Sequence, residues 1–78
     1  MALSIRSMKP GDSARIVGLA RGERGYRQRL LAMGLTPGVA FTLKRVAPLG
    51  DPIEITVRNF ALTLRRDEAS VLELEAVS

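Results

Sequence analysis

With 78 residues, the chain has material for one hydrophobic core, because dividing it would leave neither part enough buried apolar surface to fold. It contains no cysteine and no histidine, which excludes disulfides, thiolate catalysis, thiolate or imidazole metal cages and the commonest general base. Twelve Lys and Arg against eight Asp and Glu give a net charge of +4, a balance that favours an acidic protein surface, nucleic acid or an anionic membrane face as partner.

The longest apolar run, Leu30 to Leu35, is far shorter than the ~18 residues a membrane span needs, and the start lacks a continuous apolar signal region. The expectation is a single cytoplasmic domain over residues 1–78. Lys9-Pro10-Gly11-Asp12 reads as a turn, and Ala14 to Ala20 as a first strand in which Gly18 marks a bulge or a close backbone approach. From Arg24 the apolar period lengthens: Tyr26, Leu30 and Met33 recur at offsets of four and three, predicting a helix from Arg24 to Met33, with Leu31 widening the stripe. Gly34 stands where a left-handed cap would end it, Leu35 can pack back on the last turn, and Thr36-Pro37-Gly38 forbids continuation.

Beyond Gly38 the period is two. Val39, Phe41 and Leu43, then Ile53, Ile55 and Val57, then Phe60, Leu62 and Leu64 are expected to point inward from three antiparallel strands. A proline-bracketed loop, Ala47 to Pro52, joins the first two, and Arg58-Asn59 gives a tight reversal because asparagine tolerates positive φ. Arg66 to Ala69 suits one helical turn, and Val71 to Glu75 a last strand with Leu72 and Leu74 inward. The predicted fold is mainly β: a small, partly open SH3-like barrel of about five strands with one short helix after the first.

No spacing of the eight carboxylates resembles a metal-ligand loop, no nucleophile stands beside a base, and no phosphate-cradling glycine run occurs. The reading is therefore a non-enzyme without catalytic, cofactor or metal residues. Nucleic-acid binding is the alternative offered by ten arginines, but it lacks stacking rings, since Phe41 and Phe60 both fall at inward positions. Protein contact remains. Its candidate residues are Tyr26, Leu30 and Met33 rimmed by Arg27 and Arg29, together with Pro48, Leu49 and Asp51 of the loop, where a leucine at a hairpin tip has few ways to be covered by its own chain. Self-association through the Tyr26 stripe or an edge strand is a further alternative.

Tyr26-Arg-Gln-Arg-Leu-Leu-Ala-Met-Gly-Leu-Thr-Pro-Gly38, followed by Val46-Ala-Pro-Leu-Gly-Asp-Pro52 and Ile55-Thr-Val-Arg58, resembles the FeoA family, bacterial ferrous-iron transport protein A. The resemblance spans nearly the whole chain. It implies a small cytosolic SH3-like protein that supports iron uptake by contact with FeoB, the ferrous-iron permease with a GTPase domain, and so lies at the inner membrane through its partner. Without imidazole or thiolate the chain is not expected to carry the iron itself.

Overall fold

Strict alternation of β-branched residues with polar ones makes Ile53–Val57 the most regular strand, with Ile53, Ile55 and Val57 buried and Glu54 and Thr56 at the outer face. A computed structural model, which describes residues 4–20 and 24–77, places it as the third of five strands. In chain order these are β1 (Ser13–Leu19), α1 (Arg24–Ala32), β2 (Ala40–Val46), β3 (Ile53–Val57), β4 (Phe60–Leu64), α2 (Arg66–Ala69) and β5 (Leu72–Ala76). The strands form one antiparallel sheet in the order β4-β3-β2-β1-β5, so that β4 and β5 are its two edges. Phe41, Ile16, Leu43, Ile55, Leu64 and Leu74 fill its concave side.

The end of α1 follows the sequence reading closely. Gly34 has φ +91°, its N–H donates to Leu31 O at 3.0 Å, and Leu35 N–H reaches back to Leu30 O at 3.0 Å, the paired bonds of a Schellman cap. Leu35 is thereby driven into the core. The next residues are pinned to β1, with Gly38 N–H donating to Ile16 O and Val39 O accepting from Ile16 N–H. Gly18 sits at the expected irregularity in β1, where the pairing with β5 shifts register. A Cβ there would meet only the movable end of the exposed Glu73 side chain, Oε1 at 2.6 Å, and no backbone atom within 4 Å, so of the two readings the irregularity holds and the close backbone approach does not.

Four features depart from the expectation. Ile5–Ser7 forms an unforeseen 3₁₀ turn that inserts Ile5 and Met8 into the core. β2 continues to Val46, and the register with β3 slips between Leu43 and Arg45, leaving Lys44 as the extra residue of a bulge that interrupts the alternation. At the β3–β4 turn it is Arg58, not Asn59, that takes the positive φ, at 55°. Phe60, expected inward, is 67% exposed, because β4 leaves the turn beyond the end of the core and burial rises only toward Leu64.

Leu30 has no exposed surface. Replacing it with Ala should cost about 2–5 kcal/mol in a urea titration, the price of a cavity in a thin core. Gly34→Ala should cost about 1 kcal/mol from the backbone alone, since nothing lies within 4 Å of the added Cβ; exposed Leu31→Ala should change stability by less than ~0.5 kcal/mol.

Candidate interaction surface

The loop between β2 and β3 is built to hold its tip outward. Ala47 N–H donates to Pro52 O at 3.0 Å and Gly50 N–H to Ala47 O at 2.7 Å, which closes the base and tightens the turn. Asp51 Oδ1 accepts the backbone N–H of Arg66 at 2.9 Å, tying the loop to the start of α2. With Pro48 exposed beside it, Leu49 projects with 96% of its surface free. An apolar side chain is thus displayed from a turn closed by two backbone bonds and one side-chain tie, which lowers the ordering entropy lost when a partner covers it.

Asp51 accordingly positions the loop. Leu30 is corrected outright: it has no exposed surface and belongs to the core cluster, so it cannot meet a partner. Tyr26 and Met33 are half-buried against that core, which leaves only their edges for a partner. Arg29 is exposed but committed, its Nε 3.3 Å from Glu68 Oε2. Glu68 is 3% exposed and also accepts Arg65 N–H at 3.2 Å, so this ion pair docks α1 on α2. Arg27 is exposed. The residues proposed from the sequence therefore do not form one patch: Pro48 and Leu49 stand together on the loop, whereas Met33 lines a separate groove of about 230 Å³ with Val39, Val57, Arg58 and Phe60.

Sequence reasoning missed Phe60 as a surface residue, and read Arg58 only as part of the turn. The signal for Phe60 was local: a residue directly after a two-residue turn lies at the rim of the sheet whatever its alternation parity. Beside the loop, a groove of about 500 Å³ is walled by Arg45, Val46, Pro48, Glu54 and Thr63. Its charge is set by the bulge in β2, which brings two cations onto one carboxylate: Lys44 Nζ lies 3.3 Å from Glu54 Oε2 and Arg45 Nε 3.1 Å from Oε1. The Lys44 hydrogen bond, aided by the charges of Lys44 and Arg45, outweighs partial burial and holds the Glu54 carboxyl below its ordinary range. On β5, Glu75 pairs with Arg15 at 3.4 Å. Among the described residues no three acidic groups converge as a metal site would need, and no helix is long and apolar enough to cross a membrane.

A family model described as FeoA domain matches residues 3–76. The Fe(2+) transport protein A/Fe(2+) transporter FeoB fusion protein of Porphyromonas gingivalis is 33% identical over 76 residues, covering 97% of this chain but 9% of that protein. The chain thus spans under a tenth of that relative's length. Among solved structures, the FeoA protein of Chlorobium tepidum superposes with a TM-score of 0.86 at 36% identity, over 97% of this chain and 71% of that one. Iron(II) transport protein A of Clostridium thermocellum gives 0.85 at 37% identity, over 96% of this chain and 46% of that one.

The Glu54 site has a signature in acid. A carboxyl lowered in the folded state contributes stability above its unfolded value, ordinarily 4.5, and loses it as pH falls through the lower native value. Wild type should therefore exceed Glu54→Gln in denaturant midpoint above that range, and the gap should close steadily as the solution is acidified below it.

Proposed function

The chain belongs to the FeoA family, and from that premise we propose that it serves ferrous-iron transport as a non-enzymatic accessory module that docks on FeoB through the Leu49 loop. The observation that carries this reading is Leu49 itself, 96% exposed on a loop held by Asp51 and its own turn bonds. A single exposed leucine is ordinary on a protein surface; what supports a docking role is its display at the tip of a turn closed by backbone bonds and tied to α2, where a partner's pocket could bury it whole.

The choice of FeoB as partner is supported by the relative in which a transport protein A part and FeoB are one polypeptide. Fusion raises the effective concentration of one part for the other, and such a gain is useful where the parts touch. The chemistry of this chain supports contact over catalysis or iron carriage. Most carboxylates of the described residues are engaged internally: Asp12 with Lys9 N–H, Asp51 with Arg66 N–H, Glu54 with Lys44 and Arg45, Asp67 with Arg6, Glu68 with Arg29, and Glu75 with Arg15, while Glu73 stands exposed on β5. Docking places the chain at the inner face of the membrane, where its net charge of +4 also suits anionic headgroups.

Exposed Phe60 beside Arg58 favours one second reading, a basic nucleic-acid module. A lone ring offers one stacking platform where single-strand grooves align several, so this reading predicts at best a weak oligonucleotide affinity that falls steeply with salt.

Leu49→Asp tests the first reading. Its melting temperature should match wild type, because the side chain touches no core, while capture of full-length FeoB should weaken at least ~10-fold and ferrous uptake fall with it. Unchanged capture and uptake would remove the loop as the docking element; comparing full-length FeoB with its soluble cytosolic portion locates the docking site.

A further inference from the structure

The two edges of the sheet are protected very differently. β5, Leu-Glu-Leu-Glu-Ala, carries Glu73 and Glu75 on its outer face. β4, Phe-Ala-Leu-Thr-Leu, has no charge, no proline and no bulge along its length, none of the devices that usually blunt an edge strand. Its pairing with β3 fixes which groups are free. Val57 and Phe60 flank a two-residue turn and so share ladder bonds, as do Ile55 with Leu62 and Ile53 with Leu64. The N–H and C=O groups of Ala61 and Thr63 therefore point away from the sheet, and no turn or loop bond among the described residues takes them up.

The charge lies at the two ends instead. Arg58 precedes β4, and Arg65 and Arg66 follow it. None of these three guanidiniums is in an ion pair among the described residues, unlike Arg6, Arg15, Arg29 and Arg45. Arg58 is moreover held at φ 55°, a conformation costly for a side chain of its size and often associated with a binding role. Grooves open beside both ends, one at Arg58 and Phe60, the other at Thr63.

This arrangement argues against a second copy as the occupant. Antiparallel self-pairing through Ala61 and Thr63 is centred on Leu62, and that register brings Arg58, in the turn before β4 of one chain, toward Arg65 and Arg66, at the start of α2 of the other. Like charges brought together at both ends of the ladder oppose pairing. The same geometry attracts a strand of opposite sign.

We propose that β4 is a strand-addition site: an extended segment of an acidic partner protein, apolar at its centre and carrying carboxylates at both ends, pairs with Ala61 and Thr63 and is clamped by Arg58 at one end and Arg65 and Arg66 at the other. Backbone bonds supply affinity, the terminal charges supply orientation and selectivity, and alternate side chains of the segment enter the Phe60 and Thr63 grooves. The Thr63 groove shares its Pro48 wall with the Leu49 loop, but the pairing with Ala61 and Thr63 does not need that loop and stands whether or not it docks on FeoB.

The probe is a nine-residue peptide, Asp-Asp-Thr-Val-Thr-Val-Thr-Asp-Asp, compared with its counterpart carrying Lys for every Asp and with an alternately N-methylated version. Titrated into the full chain, the acidic peptide should slow amide exchange of Ala61 and Thr63 at least fivefold and shift resonances along β4, while the other two peptides leave them unchanged. Arg58→Glu with Arg66→Glu should weaken the acidic peptide tenfold or more and admit the lysine peptide. Thr63→Pro removes an outward N–H without breaking a β3–β4 bond, and should abolish pairing with an unchanged melting temperature; should it lower that temperature, the charge-reversed chain carries the test. Equal response to acidic and basic peptides, shifts elsewhere than β4, or dimerisation of the unmodified chain through β4 in sedimentation would each overturn the proposal.

Discussion

One buried carboxylate joins the parts of this molecule that the sheet alone cannot hold. Glu68 accepts Arg65 N–H with one oxygen and faces the Arg29 guanidinium with the other, so a four-residue helix is closed at its start and clamped to α1 at once. A carboxylate this buried would be costly without such partners. Ala69, fully buried beside it, seats α2 in the core, and Asp51 reaches the same helix from the far side through Arg66 N–H. α2 is thus the common anchor of the long helix and of the Leu49 loop. A helix of four residues has no stability of its own; this one is held by the Glu68 and Asp51 bonds at its start, the Arg29 pair and the burial of Ala69.

The consequence is a scaffold that satisfies its own polar groups and leaves a short inventory of unsatisfied surface. No buried side-chain nitrogen or oxygen among the described residues lacks a partner. What remains outward includes Leu49 on its anchored loop, Glu73 on β5, Phe60 and the edge of β4, and the arginines that bracket it, which have no ion pair among the described residues. Ion pairs and hydrogen bonds of Asp51, Glu54 and Glu68 hold the elements around this surface in place, which suits the docking role proposed above.

Much of the fold was legible because it rests on local rules. The period-two pattern of Ile53, Ile55 and Val57 could only be a strand with one wet face, and Gly34 with Leu35 could only be a helix end. The loop was legible for the same reason: prolines on both sides of Leu49 leave its side chain no route inward. The illegible parts depend on where the sheet ends or slips. Nothing in Lys44-Arg45 announces a bulge, since both residues are polar; only the pairing with β3 reveals that they converge on Glu54. Phe60 has inward parity but lies past the core's rim, and Leu30 looked available because a helical stripe does not disclose how far the helix tilts onto its sheet.

The central claim, that a rigid, internally satisfied barrel acts through its Leu49 loop, is tested most directly by hydrogen exchange across the chain with and without full-length FeoB in detergent. The account predicts slowed exchange at residues 47–52, with the central strands β1, β2 and β3 unchanged in either state. Exchange unaltered at that loop, or a loosening of the central strands on binding, would contradict it.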